Sequence, residues 1–339
     1  MKRLFLSISI LLLATSLWSQ SDYENLVFEG AGIRGIAYSG VIKQLEEYGI
    51  VDDIRKIGGT SAGAITAMML SIGYNSEEIY EIISETRFQK FNKGGFGVFG
   101  GIHRIKKRYG WYKSERFEKW LEEIIASKTG NPDITFGELK ERGFKALHVT
   151  GTSLNKQELI IFSPATYPLM KIKDAIKVSM SIPLYFEANF IDDEGRLFKN
   201  PDDKKGLDIV VDGGIIGNFP IAIFDEYAMD STGEEYRVYN PRTLGIRIDS
   251  DDQIKNDEQG AGLIDQEIRT LKEYIEAFYV LTLENLNRSQ ISAEDWERTI
   301  SVSSVGISPR IKRLKTEEKE RLMNSGEKAV IKYFNRQKE

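Results

Sequence analysis

The hydrophobic pattern of the N-terminal part of the chain repeats one unit: a short apolar run, a glycine-rich turn and an amphipathic stretch. The first apolar run is at 25–29, and apolar residues then recur with helical spacing from Ile36 to Leu45. In the second unit the run is at 53–57 and the helical stretch is at 62–73. This strand–loop–helix order, found twice in succession, is typical of a parallel α/β sheet.

The remaining sequence contains no repeat, low-complexity linker or clear domain boundary. It predicts further strands at 144–152, 157–162, 207–211, 243–248 and 299–305, and further helices at 76–87, 114–127, 172–180, 264–288 and 316–335. We therefore expect one α/β domain with additional helices. Because ligands of open parallel sheets gather at the carboxyl ends of strands, the glycine turns at 30–35 and 59–63 are expected to face the same crevice.

The first residues form a separate apolar segment. Lys2 and Arg3 precede an apolar stretch that ends near Gln20 and is short for a membrane span. This arrangement predicts a signal peptide over residues 1–20 and a mature domain over residues 21–339, exported to the bacterial periplasm or the exterior. An uncleaved membrane anchor is the alternative.

Composition and charge exclude several classes of protein. The chain has 339 residues, and 41% of them are apolar, which is enough to bury a substantial core. With 46 basic and 51 acidic residues its net charge is −5, which argues against a nucleic-acid partner. The lack of cysteine excludes disulfides, thiolate metal sites and cysteine nucleophiles.

A candidate nucleophile lies in the second glycine turn. Gly59-Thr60-Ser61-Ala62-Gly63 matches the pattern G-x-S-x-G between a predicted strand and a predicted helix. A sharp turn there lifts the Ser61 hydroxyl out of the backbone, and the small neighbours avoid the clashes that such a turn creates. The same pattern also occurs in ordinary tight loops.

The first glycine turn has two interpretations. Gly30-Ala31-Gly32-Ile33-Arg34-Gly35 matches the dinucleotide fingerprint G-x-G-x-x-G, but no acidic residue ends the second strand to hold a ribose. The alternative is a row of backbone N–H groups that stabilises a developing oxyanion. This second interpretation fits a neighbouring serine nucleophile better.

The base that would activate the serine is harder to assign. His103 and His148 are the only histidines, and none follows Asp212, so the Ser–Asp–His order of α/β-hydrolases is excluded. Asp212 ends an apolar run just before Gly213 and Gly214, although Asp-Gly in this position is also a β-hairpin signal. An unperturbed aspartate is a weaker base than histidine by about 2.6 pK units, so catalysis by Asp212 requires desolvation to raise its pKa.

Three motifs in this order, "EGAGIRG", "GTSAG" and "VDGG", resemble those of the patatin-like phospholipase family. "SMSIP" (179–183), "NFP" (218–220) and "LMNSGEKAV" near the C-terminus extend the resemblance from about residue 25 to 335. The resemblance implies a three-layer α/β/α sandwich with a mainly parallel central sheet. It also implies a Ser61–Asp212 dyad and an oxyanion hole made by amides around Gly32, Ile33 and Arg34. Ala31 stands where the family usually has a glycine.

The implied activity is that of a serine lipid acyl hydrolase, a phospholipase A or lysophospholipase type of esterase that forms an acyl-enzyme and needs no metal or cofactor. Its substrate would be a glycerophospholipid or another fatty-acyl ester. A serine peptidase or thioesterase using the same dyad remains an alternative. So does a catalytically silent protein that binds lipid or another envelope component, and the sequence does not indicate an oligomeric state.

Residues 86–113 have an unusual composition for this acidic protein. The segment contains no acidic residue, and its lysines and arginines alternate with aromatic residues and glycines. Cations attract anionic headgroups and aromatic rings favour the membrane interface, so the segment is expected to be a flap that contacts a membrane surface. A solvated basic loop with a few core aromatics is the alternative.

Overall fold

The computed structural model describes residues 22–92, 105–199, 201–282, 288, 291–310 and 312–338. The predicted signal peptide therefore lies outside the described residues. Among the described residues, no helix combines the length and the apolar character needed to cross a bilayer.

The strands of the described residues are β1 Asn25–Phe28, β2 Lys56–Gly59, β3 Gly110–Tyr112, β4 Ala146–Ser153, β5 Glu158–Phe162, β6 Leu184–Phe186, β7 Asn189–Ile191, β8 Leu197–Phe198, β9 Asp208–Asp212, β10 Glu226–Met229, β11 Glu235–Val238, β12 Thr243–Asp249 and β13 Thr299–Ser303. Nine of them form a mixed sheet at the centre of the molecule, in the order β13-β12-β1-β2-β4-β9-β7-β8, with β5 also paired to β4. The other four form two separate two-stranded sheets, β3 with β6 and β10 with β11. Every pairing from β13 to β4 is parallel, whereas β5, β9, β7 and β8 join the sheet by antiparallel pairing.

The α-helices of the described residues are α1 Ala37–Glu47, α2 Ile50–Asp53, α3 Ala62–Ser71, α4 Ser76–Glu85, α5 Glu115–Thr129, α6 Phe136–Glu141, α7 Ile172–Ser179, α8 Gly214–Gly217, α9 Asp251–Gln259, α10 Leu271–Val280, α11 Ala293–Glu297 and α12 Thr316–Arg336. Short 3₁₀ helices span Gly32–Ile36, Phe88–Asn92 and Ile221–Phe224. The long helix α12 packs along α1 and contacts β13.

Two adjacent glycines of β2 show that helical segments cover both faces of the sheet. A Cβ on Gly58 would meet Ile223 of the 221–224 turn, and a Cβ on Gly59 would meet Gly63 at the start of α3. Because successive strand residues point to opposite faces, α3 and the 221–224 turn lie on opposite sides. The predicted three-layer α/β/α sandwich is therefore confirmed.

The main hydrophobic core lies between the sheet and the layer that contains α1 and α3. Leu26, Phe28, Ile57 and Leu147 point into it from the strands, and each is fully buried. Val27, which faces the other way, is also fully buried. Burial on both sides is expected for parallel strands covered by helices, and it explains why these runs read as continuously apolar.

The predicted helix at 264–288 begins later than its hydrophobic pattern indicated. It starts at Leu271, because Thr270 accepts a hydrogen bond from the Glu273 amide and the Glu273 side chain accepts one from the Thr270 amide. This capping box fixes the helix start. Sequence analysis also missed α9, whose sequence "DDQIKNDEQ" is polar on nearly every side and has no apolar periodicity.

Candidate active site

Ser61 lies in a strained turn between β2 and α3. Its backbone has φ 53° and ψ −121°, a conformation that L-residues rarely adopt. A Cβ on Gly59 would come within 2.5 Å of the Gly63 backbone, and one on Gly63 would come within 2.4 Å of the Phe28 and Glu29 carbonyl oxygens. Both glycines of the motif are therefore required by close backbone approach, as a nucleophile elbow demands.

The residues beside Ser61 hold this turn in place. The Ser61 amide donates a hydrogen bond to Ser179 Oγ at 2.9 Å, and the Ser61 hydroxyl donates to Met180 Sδ at 3.5 Å. Thr60 Oγ1 lies 2.6 Å from Thr150 Oγ1, and one of these two hydroxyls donates a hydrogen bond to the other. Ala62 begins α3 and lines the same pocket as Ser61.

The register of β4 shows how Asp212 reaches the serine. Val149 pairs with Gly59 of β2 and with a residue of β5, while Gly151 pairs with Asp212 of β9 and again with a residue of β5. Because β5 occupies one flank of β4 at both levels, β2 and β9 share the other flank. The two strands run toward each other along that flank, so their ends meet near position 150 of β4.

Asp212 ends its strand, as the sequence indicated, but β9 does not run in the same direction as β2. Strand β9 is antiparallel to β4 and approaches Ser61 from the opposite end of the sheet. Asp212 is also not part of a hairpin, because helix α8 follows at Gly214. A Cβ on Gly213 would come within 2.3 Å of Thr150 Oγ1, so a larger residue would not fit at this junction.

The Asp212 carboxylate is buried, with 1% of its surface exposed, and only one of its oxygens is hydrogen-bonded. Oδ1 accepts the Gly214 amide at 2.8 Å, whereas Oδ2 has no hydrogen-bond partner among the described residues. Burial raises the pKa of Asp212 to about 7, although the Gly214 amide and the Ser61 side chain act in the opposite direction. Asp212 is thus a base with a pKa near neutrality, and the Ser61 side chain is near enough to affect it.

The glycine loop 30–35 is held against the serine turn by Asn218. The Gly30 amide donates to the Asn218 carbonyl at 3.0 Å, and Asn218 Nδ2 donates to the Gly30 carbonyl at 2.9 Å. A Cβ on Gly30 would lie 2.2 Å from Asn218 Oδ1 and 3.4 Å from Ser61 Cβ. Gly35 also approaches this turn, since a Cβ there would lie 3.4 Å from Ala62 Cβ.

The amides of the predicted oxyanion hole are not equivalent. The Ile33 amide donates to the Pro309 carbonyl at 3.1 Å, and the Arg34 amide donates to the Ala31 carbonyl at 3.2 Å, so both are occupied. The amides of Ala31 and Gly32 make no hydrogen bond within the described parts of the chain. The free donors are therefore at Ala31 and Gly32, and Ile33 and Arg34 do not supply donors in this arrangement.

An apolar pocket opens from Ser61 between the glycine loop and the 180–182 segment. Its lining includes Ile33, Ile65, Ile83, Phe88 and Met180. Its volume is about 50 Å³, which is room for about one or two water molecules. Side chains of the lining must therefore move before a fatty-acyl chain can enter.

The predicted flap at 86–113 lies partly outside the described residues, which omit 93–104. Of its described aromatics, Phe88 packs edge-on against Phe91 and Trp120, and Phe91 is tilted against Trp120, with ring centroids 5.7–5.8 Å apart. Phe88 is a core residue and Phe91 packs partly buried against the core, which agrees with the alternative interpretation for these two rings. Tyr109 remains exposed.

The one histidine within the described residues is not placed as a base. His148 lies on β4 with its ring 4.8 Å from that of Phe224, and burial lowers the pKa of His148 to about 4. His103 lies outside the described residues. Among the described residues, no cluster of acidic residues or histidines could hold a metal ion.

Three residues of this site were not assigned a role from the sequence: Ser179, Ser181 and Asn218. Ser179 Oγ accepts the Ser61 amide, and the Ser181 carbonyl accepts the Asp212 amide at 3.0 Å. One short segment thus fixes the backbones of both Ser61 and Asp212. The motifs "SMSIP" and "NFP" contain these residues and were the only sequence signal for them.

Comparison with known proteins gives the family. The family model described as "Patatin-like phospholipase" matches residues 26–225, and the chain belongs to that family of lipid-hydrolysing enzymes. The chain is 28% identical over 317 residues to uncharacterized protein R571 of Acanthamoeba polyphaga mimivirus, covering 92% of this chain and 94% of that protein. It is 29% identical over 211 residues to probable lipid hydrolase 463L of Invertebrate iridescent virus 6, covering 60% of this chain and 64% of that protein.

A solved structure shares the fold. The crystal structure of VipD from Legionella pneumophila superposes with a TM-score of 0.56 and 17% sequence identity, over 93% of this chain and 67% of that chain. This likeness confirms the architecture and nothing finer. The two relatives named above are viral proteins, so they give no support to the narrower expectation of a bacterial exported protein.

Proposed function

We propose that this protein is a serine lipid acyl hydrolase, of phospholipase A or lysophospholipase type, in which Ser61 is the nucleophile and Asp212 the base. The observation that carries the proposal is the Asp212 carboxylate: it is buried beside the Ser61 turn, and its Oδ2 has no hydrogen-bond partner among the described residues. Burying a carboxylate oxygen without a hydrogen-bond partner lowers the stability of the folded protein. Such destabilisation is typical of functional sites, where the carboxylate acts as a base.

Burial supplies the basicity that an ordinary aspartate lacks. A carboxyl group with a pKa of about 7 is as strong a base as an unperturbed histidine, whose pKa is about 6.5. It is about half ionised at neutral pH and mostly ionised above it, and it can accept a proton with little energetic penalty. Catalysis by this base therefore needs no histidine.

The proposed reaction begins with a rotation of the Ser61 side chain, which turns the hydroxyl from Met180 Sδ toward Asp212 Oδ2. Asp212 takes the hydroxyl proton while Ser61 Oγ attacks the carbonyl carbon of the ester. The carbonyl oxygen becomes an oxyanion and accepts hydrogen bonds from the Ala31 and Gly32 amides. When the carbon–oxygen bond to the alcohol breaks, Asp212 returns the proton to the leaving oxygen.

The second half of the reaction repeats these roles with water. Asp212 removes a proton from a water molecule, which attacks the acyl carbon, and the same amides stabilise the second oxyanion. The Ser61–acyl bond breaks, Ser61 Oγ regains its proton from Asp212, and the fatty acid leaves. The substrate we propose is a glycerophospholipid or another fatty-acyl ester.

The proposal also retains export directed by residues 1–20, with the mature domain at 21–339 in the periplasm or outside the cell. Its support is the sequence pattern of two basic residues followed by a short apolar stretch. Expression of the full chain in a bacterium, followed by N-terminal sequencing of the product in the periplasmic fraction, tests it. An intact N-terminus that stays with the cell membrane would instead support an anchor.

A fluorophosphonate probe and a panel of lipid esters test the proposed chemistry. The probe is expected to label Ser61, and the protein is expected to release fatty acid from at least one phospholipid or lysophospholipid. Ser61→Ala should lose both properties, whereas Ser231→Ala, a change at an exposed serine of the β10–β11 turn, should keep them. Labelling and turnover that survive in Ser61→Ala would refute the assignment.

A further inference from the structure

A second cleft adjoins the pocket that opens from Ser61. It has a volume of about 610 Å³, which lies within the range of small-molecule binding sites. Four parts of the chain form it: the 3₁₀ helix Gly32–Ile36, the end of α4 with the segment that follows, the segment before α12, and the first turn of α12. Five of its lining side chains are cations, namely Arg87, Lys312, Arg313, Lys315 and Lys319. We call it the cationic cleft.

The cationic cleft and the Ser61 pocket have a common wall. Ile33, Ile36 and Ile83 line both cavities. Ile33 belongs to the glycine loop, which provides the free amides near Ser61. A ligand that extends past these three side chains would therefore have its apolar part beside Ser61 and a polar part among the cations.

The five cations differ in how they are already engaged. Lys312 forms an ion pair with Glu318 at 3.2 Å, and Lys319 Nζ donates to the Ser84 carbonyl at 2.5 Å. The other three, Arg87, Arg313 and Lys315, are exposed, and none has an ion-pair partner within the part of the chain that the structure describes. These three charges are available to a ligand.

The side chains that line the cationic cleft carry a net positive charge, whereas the whole protein carries a net negative charge. The chain carries a net charge of −5, yet five cations meet here against two carboxylates, Glu85 on the lining and Glu318 beside it. Such a local excess attracts anions. Two arginines and a lysine suit phosphate in particular, because guanidinium groups bind its oxygens bidentately and charge-assisted hydrogen bonds are the strong ones.

We propose that the cationic cleft binds the phosphate of a glycerophospholipid headgroup while the acyl ester of the same molecule lies at Ser61. This inference rests on the proposed function and narrows it, since it makes phosphate-bearing lipids the preferred substrates over neutral glycerides. In this arrangement the isoleucines of the common wall contact the apolar part of the lipid. Arg87, Arg313 and Lys315 bind its phosphate.

The test compares two soluble esters that differ in phosphate alone: dihexanoyl phosphatidic acid and dihexanoylglycerol, both used as monomers. In the variant Arg87→Gln/Arg313→Gln/Lys315→Gln, KM for the phosphatidic acid is expected to rise about tenfold or more, with KM for the glyceride unchanged. A matched variant, Lys140→Gln/Lys205→Gln/Lys255→Gln, removes three exposed cations far along the chain from the cleft. It should leave both KM values unchanged.

Two results would overturn the proposal. If KM for the phosphatidic acid is unchanged in the cleft variant, the headgroup does not bind there. If both substrates lose activity equally, the cations have a structural role. Inorganic phosphate separates the two sources of phosphate: it should compete with the phosphatidic acid in the parent protein. Binding of inorganic phosphate that depends on the cleft, without any effect on KM for the lipid, would indicate a free-phosphate site and would also overturn the proposal.

A binding measurement keeps this inference separate from the proposed chemistry. Calorimetric titration of dihexanoyl phosphatidic acid into Ser61→Ala, with and without the three cleft changes, requires no turnover. Tenfold weaker binding in the cleft variant would support the headgroup site even if the parent protein hydrolyses no ester. Equal binding in the two proteins would reject the site even if the hydrolase proposal holds.

Discussion

Asp212 and Asp249 are both buried aspartates that end a strand of the central sheet, and their surroundings give them opposite properties. Asp212 is 1% exposed and Asp249 is 6% exposed. Among the described residues no cation lies beside Asp212, and burial raises the pKa of Asp212 to about 7. Burial acts on Asp249 in the same direction, but Arg247 and Arg288 outweigh it and hold the pKa of Asp249 well below its ordinary value.

The Asp249 region is a network in which every carboxylate has a cation. Arg247 lies 2.7 Å from Asp249 and 3.1 Å from Glu29, and Arg288 lies 3.0 Å from Asp249 and also contacts Asp257. The comparison teaches that burial alone does not define a function. An aspartate desolvated beside cations is held ionised and becomes structural, while one desolvated alone becomes a base near neutral pH.

The two regions meet at Glu29, which directly precedes the glycine loop. Glu29 Oε2 accepts the Ile248 amide at 3.1 Å, and Tyr38 Oη donates to the Glu29 carbonyl at 2.5 Å. The paired network therefore fixes the end of β1 from which the loop 30–35 departs. The ion pairs around Asp249 therefore help to position the glycine loop beside Ser61.

The largest expected effect is on activity at the unpaired aspartate. Asp212→Asn removes the proposed base with almost no change in volume, and we expect kcat for a fatty-acyl ester to fall by about 10⁴-fold or more, the scale seen when a nucleophile loses its base. Steady-state kinetics measures it. As a control, Asp208→Asn, at the other end of β9, should keep kcat within a few-fold of the parent value. Near-parent turnover in Asp212→Asn would show that Asp212 is not the base and would remove the functional distinction between Asp212 and Asp249.

The next effect is on folding at the paired aspartate. Arg247→Met removes the cation that contacts both Glu29 and Asp249, and breaking a buried ion pair in this way costs about 3–5 kcal/mol of unfolding free energy. Urea unfolding followed by circular dichroism measures it. The control is Arg196→Met, which removes an exposed pair with Asp192 and should cost about 1 kcal/mol or less. Equal losses of unfolding free energy in the two variants would show that the buried network contributes no more to stability than the exposed pair.

A smaller effect of opposite sign is expected when the stability of Asp212→Asn is measured. Between the unfolded pKa of about 3.9 and the folded pKa of about 7, the native state keeps a proton that the unfolded chain has lost, so stability falls as pH rises through this window. The side-chain amide introduced by Asp212→Asn does not ionise, so it has no such pH-dependent loss of stability. Asp212→Asn should therefore be more stable than the parent by about 2–4 kcal/mol at pH 8, and the difference should vanish at pH 4. Equal gains at both pH values would contradict the raised pKa.

The smallest effect is a loss of activity at mildly acid pH while the protein stays folded. Because Asp212 must be ionised to act, kcat/KM should decrease tenfold per pH unit below about 7, or about 30-fold at pH 5.5 relative to the plateau. Asp249 has a lowered pKa, so its contribution to stability is present above about pH 3.9 and is lost only as the pH falls through its folded value. A pH–rate profile with circular dichroism at pH 5.5 checks both, and simultaneous loss of activity and structure would contradict the comparison.

Local patterns predicted most of the elements and the chemical identity of the site. The strand–turn–helix units around 30–35 and 59–63 were correct because buried parallel strands and amphipathic helices leave strong periodicities in the sequence. Helix α9 and the short strands were missed because two to nine polar or mixed residues carry too little pattern. The start of α10 was misplaced because the capping box at Thr270 outweighed the apolar periodicity of 264–270.

The sequence by itself determined the residue types and the local turns: a serine between glycines, an aspartate before glycines and a loop of small residues with accessible amides. Only the tertiary structure decided that β2 and β9 run toward each other along one flank of β4 and that Ser179–Ser181 holds both strand ends. It also decided that no cation within the described part of the chain lies beside Asp212. The physical reason is that strand pairing and desolvation depend on residues far apart in the chain. A pKa is therefore set by the completed fold rather than by the neighbours in the sequence.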